Sequence, residues 1–472
     1  MIRTLVIATL AVWTGRMVLK QLMQCRHSLW RRVWIFALLI PLLVPELIVG
    51  FTYRLTAQHL THSVGGTEFL YGAVLFIRSC SVSVIVHLLL PNGPVTPESI
   101  HSWKLLRGRG RFDRWNQLRL LVTGPWRSAV VAWCLTALVT FQDFETAALV
   151  QVDRHPVVWT VWLFDANAGN QILSHTLRLI TAPLAFECLL LVPGLALISM
   201  RGTTSASAAG LQNTHGNAAR GRLVLSITGT FAGVAVVAGW PIVLSVPEFW
   251  IGLKILSGDV WGITQQQTVT LGFSAAAAVI AVSGATLLRR RNHPVITCIC
   301  LLPGLGGSLT LSLGLLWLFQ RPGLRLLWDT WLPLLAGQSL LLLPRAWVLS
   351  LVLESLASQE QLHSVRLMER GSPGHRRVAW RLMWQLVHLR WLLAVAVLCH
   401  WCTWDVTTAS ILRPVSIEPV VTRLYREMHF SRTESLTALA GITAAFPLLV
   451  AGGVTGIWRC VSGKTTTRSR RL

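Results

Sequence analysis

Two basic stretches organise this sequence: Leu362–Gln385 (LHSVRLMERGSPGHRRVAWRLMWQ) and Ser102–Arg127 (SWKLLRGRGRFDRWNQLRLLVTGPWR). Each lies between two long apolar segments, contains a glycine (Gly371 or Gly108) and continues into an amphipathic helical pattern. Polar connections between long apolar runs are typical of a bundle of membrane-spanning helices. The similar position of the two stretches suggests a docking surface shared by two halves of such a bundle.

Composition supports this fold class. Of the residues, 53% are hydrophobic and 13% charged, and many apolar runs reach the roughly 20 residues that cross about 30 Å of hydrocarbon. We therefore predict an all-α, polytopic transmembrane bundle. The net charge of +23 could indicate nucleic acid, but the Arg and Lys residues lie in short clusters beside apolar runs, as the positive-inside rule predicts. We expect the lipid bilayer as a partner, and no nucleic acid.

Motifs of metal, nucleotide and disulfide chemistry are weak. The nine cysteines are scattered, and the C-x-x-C pair Cys399 and Cys402 lies in a predicted spanning helix without a second ligand pair. Gly463-Lys464-Thr465 resembles the end of a phosphate-binding loop, but Trp458 stands where its first glycine is needed. We expect no catalytic residue, no metal and no cofactor, and therefore not an enzyme.

The apolar runs predict about eleven spans (ten to twelve) in the cell (inner or plasma) membrane. Alternate loops carry most of the Arg and Lys residues, which assigns those loops and the C-terminus to the cytoplasm and the N-terminus to the outside. The predicted spans are 2–22, 33–53, 67–91, 128–151, 177–200, 223–247, 266–288, 296–320, 328–353, 387–411 and 436–458.

Four landmarks recur in the same order, which predicts an internal duplication. The pairs are Pro45 and Pro303, Arg78 and Arg345, Gly108 and Gly371, and Glu145 and Asp405, at offsets of 258, 267, 263 and 260. If the topology is right, the repeats run in the same sense. We expect a first core over 1–201, a flexible cytoplasmic linker over 202–221 rich in Ser, Thr, Ala, Gly and Asn, and a second core over 222–472.

Charged residues within the predicted spans form the second set of candidates. An arginine at a helix centre costs about 2.5–3.5 kcal/mol on insertion scales, so Arg78 and Arg345 should face protein, water or headgroups. Their acidic partners could be Glu46, Asp143, Glu145 or Asp405. Two interpretations stay open: pairing between helices that fixes the bundle, or lining of a translocation path. We also expect helices to be interrupted at Pro41, Pro45, Pro303, Pro333 and Pro344.

The basic stretches resemble the cytoplasmic coupling loop of binding-protein-dependent ABC transporter permeases. Counting from Gly108 places Ser102, Trp103 and Lys104 at the family's Glu-Ala-Ala positions, and Leu118, Leu120 and Leu121 at its Ile, Leu and Pro. Counting from Gly371 places Val365, Arg366 and Leu367, then Arg381, Met383 and Trp384, at the same positions. The flanking segments LLVPELIVGFTYRL, LLLLPRAWVLSLVLESL, FETAALV and WDVTTASIL are similar to the fused permeases of ferric iron and thiamine.

The resemblance implies a permease that moves a small solute, with ferric iron as the first guess. A separate ABC ATPase would dock on the two loops through Lys104, Gly108, Leu118, Arg366, Gly371 and Met383, and an extracytoplasmic binding protein would deliver the solute. Because Glu-Ala-Ala is lost in both loops, a divergent membrane scaffold or sensor that no longer pumps stays open as an alternative. The other alternative is an ion-coupled secondary transporter that uses Arg78, Arg345 and the intramembrane acids.

Overall fold

A computed structural model describes most of the chain. The described residues are 1–23, 28–60, 63–90, 101, 111–150, 158–169, 173–199, 229, 233, 240–291, 293–356, 359–369, 371–430 and 432–447. All regular secondary structure in these ranges is helical, which confirms the all-α class. Gly108, Lys104, the predicted linker 202–221 and the Gly463-Lys464-Thr465 motif lie outside them.

The α-helices whose bounds lie within the described ranges are numbered in chain order. They are α1 Ile2–Met23, α2 Ser28–Leu43, α3 Glu46–His59, α4 Val64–Leu89, α5 Arg111–Thr123, α6 Arg127–Phe141, α7 Glu145–Val150, α8 Trp159–Ala168, α9 Leu173–Leu179, α10 Thr181–Ser199, α11 Trp240–Leu256, α12 Val260–Arg291, α13 Pro294–Leu305, α14 Gly307–Phe319, α15 Leu332–Leu356, α16 Gln359–Glu369, α17 Pro373–Met383, α18 Leu389–Thr403, α19 Val406–Leu412, α20 Val420–His429 and α21, residues 433–447.

Several of these helices can cross a membrane. Five are long and apolar enough to do so by length and composition, or up to eight if each sharply bent helix pair counts as one span. The described part of the chain is therefore consistent with a multi-pass membrane protein. The count of eleven spans stays a prediction.

Four of the predicted continuous spans are broken in the middle. The breaks separate α2 from α3, α6 from α7, α13 from α14 and α18 from α19; the last two pairs bend by 98° and 63°. The prediction that prolines interrupt the helices is wrong for most of them, since Pro41, Pro303 and Pro344 lie inside helices and Pro333 lies in the first turn of α15. Pro45 alone of the five lies in a break. The other four can remain within helices because membrane bundles satisfy the backbone groups that a proline frees.

Six helices in the first part of the chain and six in the second pack in the same way. Helix α1 packs on α4 and α6, α4 packs on α2, α3, α6 and α7, and α3 packs on α7. Helix α12 packs on α15 and α18, α15 packs on α13, α14, α18 and α19, and α14 packs on α19. The helix breaks occupy corresponding places in the two sets, so the polar ends of broken helices come together inside the bundle.

Candidate functional site

The candidate site consists of polar side chains at the helix breaks. Glu46 is the first residue of α3 and Glu145 the first residue of α7, while Asp405 directly precedes α19. A carboxylate at a helix N-terminus is favoured by the helix dipole, which is one physical reason why these helices restart at acidic residues. Three of the five sequence-predicted intramembrane residues are therefore helix-start residues.

Arg78 forms an ion pair with Glu46. The arginine lies in the middle of α4, and its Nη1 contacts Oε1 of Glu46 across the α2–α3 break. Both side chains are partly buried, with relative exposures of 20% and 26%. Pairing lowers the cost of both charges in an apolar bundle, so this contact connects α3 to α4.

The α6–α7 break is held by a buried network around Asp143. Tyr71 donates its hydroxyl to Oδ2 of Asp143 at 2.9 Å, and the backbone N–H of Ala147 donates to the same oxygen at 3.1 Å. Thr160 donates to the Asp143 carbonyl oxygen at 2.8 Å. Oδ1 of Asp143 is buried and has no hydrogen-bond partner among the described residues.

Glu145 and Asp405 bring the two sets of helices together. Oε1 of Glu145 accepts a hydrogen bond at 3.2 Å from the backbone N–H of Val406, the first residue of α19. Asp405 is 9% exposed; its carboxylate interacts with the hydroxyl and the backbone N–H of Thr408, although its Oδ2 makes no hydrogen bond of normal geometry within the described ranges. Charge interactions link Glu145 with Glu46 and with Asp405, and Asp143 with Glu46, so the four carboxylates belong to one cluster.

Arg345 lies at the edge of this cluster. Its guanidinium carbon is 5.7 Å from the ring centroid of Trp401, and the arginine interacts electrostatically with Asp405 and Glu46. The Arg345 side chain is exposed, whereas that of Asp405 is buried. One side of the acidic cluster therefore borders an exposed cation.

Side chains from the second set of helices reach the break in the first set. His400 and Trp401, near the end of α18, place their ring nitrogens 2.8 Å from the carbonyl oxygen of Leu43 and 3.2 Å from that of Leu42. These carbonyls end α2 and have lost their helical partners. The contacts therefore hold the α2–α3 break against α18.

Gln142 makes the corresponding contact from the first set of helices to a break in the second set. It directly follows α6, and its side-chain amide donates to the carbonyl oxygen of Leu305 at the end of α13 and, at 3.1 Å, to Oε1 of Glu187. Gly307 adopts a left-handed φ of 82° beside it, and a Cβ on Gly307 would lie 3.2 Å from the Gln142 amide carbon. The α13–α14 break is thus shaped to receive Gln142.

The second basic stretch forms a helical hairpin. Helices α16 and α17 pack on each other, with Val365 and Ala379 buried, and the exposed Gly371 lies in the turn between them. Gly371 does not adopt a left-handed φ, so the turn does not need a glycine for that reason. Arg366 lies on α16 and the partly buried Met383 ends α17.

Part of the first basic stretch is also helical. Helix α5 begins just after Gly108, and its Leu118 is 46% exposed. Lys104 and Gly108 lie outside the described residues, so only the second stretch can be described as a hairpin.

Sequence reasoning missed Gln142 and Glu187 and passed over His400. Glu187 lies inside an apolar run, and an acid in a predicted span is itself a signal. In the described part of the chain, no group of three or more His, Cys, Asp or Glu residues is arranged to hold a metal ion.

Comparisons of the chain with protein-family models, with curated proteins and with solved structures gave no match.

Proposed function

We propose that this protein is the transmembrane permease subunit of an ABC importer, with eleven spans in two parallel halves and a cytoplasmic C-terminus. A separate ATPase docks on the two basic stretches and drives the transport of a small solute, with ferric iron as the first guess. An extracytoplasmic binding protein delivers the solute. The resemblance of the loops and their flanking segments to the fused permeases remains the basis for this choice.

The observation that carries the proposal is the hairpin of α16 and α17. It is inserted between α15 and α18, and among its described side chains four large apolar ones are exposed: Leu367 (55%), Met368 (39%), Val378 (50%) and Trp380 (58%). A short amphipathic hairpin with an apolar face can fit a groove on a partner protein. Helix α5 holds the corresponding place between α4 and α6.

Because the packing repeats, the docked ATPase has two sets of helices to move relative to each other. Two similar sets of helices that meet through side chains at their breaks can rock against each other around a central site. The contacts of Gln142 with Leu305 and of Trp401 with Leu42 lie between the two sets. Movement of a docked ATPase would be transmitted along α15 and α18 to these contacts.

The test is the isolation and activity of the complex. The full chain, extracted in mild detergent, should co-purify with an ABC ATPase identified by mass spectrometry, and reconstituted vesicles should take up solute with ATP. The double variant Val378→Asp/Trp380→Asp should lose the ATPase, because two carboxylates would have to be desolvated in the groove.

The matched control changes exposed apolar residues away from the hairpin. Leu326 and Val415 are 92% and 91% exposed, and Leu326→Asp/Val415→Asp should retain the ATPase. A chain that purifies alone in several detergents, or equal retention of the ATPase by both double variants, would contradict the proposal. ATP-dependent uptake would exclude a scaffold that no longer pumps.

A second candidate function, ion-coupled secondary transport, is favoured by the buried acids. Asp143 and Asp405 are 4% and 9% exposed, and each has one carboxylate oxygen that makes no hydrogen bond of normal geometry among the described residues. Such groups are common in proton and cation pathways. Solute uptake driven by an imposed ion gradient, in vesicles that contain only this chain, would support secondary transport. Absence of that uptake would count against it.

A further inference from the structure

Glu187 is a carboxylic acid buried inside an apolar helix. It lies on α10, in the candidate span 174–198, and its relative exposure is 0%. The acids of the central cluster have charged or backbone partners, such as Arg78 for Glu46 and the Val406 N–H for Glu145. Glu187 lies outside this cluster, so its ionisation state depends on its own surroundings.

Among the described residues, Glu187 has one hydrogen-bond donor, and no cation pairs with it. Oε1 accepts from Nε2 of Gln142 at 3.1 Å, and Oε2 is buried without a partner among the described residues. No described charged group exerts an electrostatic interaction on it. The titratable and charged groups on the elements packed around α10 are Arg127 and Cys134 on α6, the exposed His175 and Arg178 on α9, and Cys298 and Cys300 on α13. Arg127 donates to the carbonyl oxygens of Leu197 and Ile198 near the end of α10, not to Glu187.

The carboxyl group also lies at a joint between the two sets of helices. The amide of Gln142 that donates to Oε1 also donates to the carbonyl oxygen of Leu305, and Oε2 lies 3.8 Å from where a Cβ on Gly306 would be. Opening the α13–α14 break away from α6 would separate these groups. Water could then reach Oε2.

We propose that Glu187 is held as the neutral acid and forms a proton-binding site, which releases its proton when the joint between Gln142 and the α13–α14 break opens. An ionised carboxylate in an apolar site without a cation is costly, so the proton stays bound while the joint is closed. The nearby N-terminus of α14 offers only about half an elementary charge. That partial charge favours release once water enters, but it does not replace a cation.

Infrared spectroscopy of the full chain in lipid nanodiscs tests the protonation state. The difference spectrum of wild type minus Glu187→Gln at neutral pH should contain the C=O stretching band of a protonated carboxyl group. The control is Glu68→Gln, because Glu68 pairs with Arg3 at 2.8 Å and should contribute carboxylate bands instead. Carboxylate bands in the Glu187 difference spectrum would overturn the proposal.

A second variant tests the contact with Gln142. In Gln142→Leu, Oε1 loses its donor, so the protonated C=O band should move to higher frequency. An unmoved band would contradict the assignment. If Glu187→Gln does not fold, the wild type minus Glu187→Asp spectrum should show the protonated band at two positions, because the shorter side chain changes its hydrogen bonding.

Thermal unfolding as a function of pH tests the link to the folded joint. A folded chain that retains a proton which the unfolded chain releases becomes less stable as pH rises. Unfolding temperature should therefore fall more steeply with pH in wild type than in Glu187→Gln, which has no proton to release. Parallel profiles for the two proteins would overturn the proposal.

Discussion

Arg127 is a buried cation that connects α6 to α10. It is 1% exposed at the start of α6, and its guanidinium donates to the carbonyl oxygens of Leu197 at 3.0 Å and Ile198 at 3.4 Å near the end of α10. Carbonyls in the last turn of a helix lack helical partners, and the dipole favours a cation there. Arg127 thus caps α10 from α6.

Replacing Arg127 should destabilise the bundle. We expect Arg127→Met, which keeps an unbranched side chain of apolar character, to cost roughly 1.5–3 kcal/mol for the lost charged hydrogen bonds. The measurement is thermal or denaturant unfolding in detergent. Trp126→Ala is the control because Trp126 is 45% exposed next to it, and an equal loss in both variants would argue against the capping role.

The Glu46–Arg78 pair predicts a charge-reversal rescue. Arg78→Ala leaves the Glu46 carboxylate without its cation inside the bundle, and breaking a buried pair in this way costs about 3–5 kcal/mol, with partial exposure reducing the figure. The double variant Glu46→Arg/Arg78→Glu should recover part of the stability. Double-mutant unfolding measurements check this, and a double variant no more stable than the single ones would show that pairing is not what the two residues contribute.

At the scale of elements, close contact between α13 and α15 depends on a residue without a side chain. A Cβ on Gly304 would collide with the carbonyl oxygen of Leu340, and with Pro344 next to it. Small residues allow such close approach of membrane helices. The α13–α14 break is thereby held against α15.

Adding one methyl group should separate these helices. We expect Gly304→Ala to cost about 1–3 kcal/mol by overpacking, measured by thermal unfolding in detergent. Gly314 on α14 has nothing within 4 Å of its would-be Cβ, so Gly314→Ala should be neutral or slightly stabilising. Equal effects at both positions would mean that α13 can move away from α15 at little cost.

At the scale of the whole molecule, the orientation in the membrane follows from the charge at helix ends. Helix α12 ends in Arg289, Arg290 and Arg291, while its start follows the exposed Ser257–Asp259 turn. The positive-inside rule predicts that the arginine end and the α16–α17 hairpin face the cytoplasm and that the turn faces outside.

Cysteine labelling checks this orientation. In a background without the native cysteines, Gly258→Cys should react with a membrane-impermeant maleimide in intact cells, since Gly258 is exposed with nothing within 4 Å of a Cβ. Glu369→Cys on the hairpin, also exposed, should react only after permeabilisation. The reverse pattern would invert the topology and remove the basis for cytoplasmic docking.

Sequence patterns anticipated the members of the central cluster better than its contacts. Arg78, Glu46, Glu145 and Asp405 stand out because charges in apolar runs are rare. Which acid pairs with which arginine depends on how the helices pack, so the Arg78–Glu46 pair and the exposed position of Arg345 required the structure. Glu187 carries the same signal and was missed, whereas Gln142 is uncharged and its importance comes from its neighbours.

The sequence by itself determined the all-helical class with helices long and apolar enough to span a membrane, because in lipid the backbone N–H and C=O groups of a long apolar run are paired within a helix. Only the tertiary structure decided where those helices break. Prolines were the local signal for breaks, yet most remain inside helices, while breaks occur where a side chain from another helix can satisfy the freed carbonyls, as Trp401 does at Leu42 and Gln142 at Leu305. That compensation comes from residues distant in sequence, so local sequence could not reveal it.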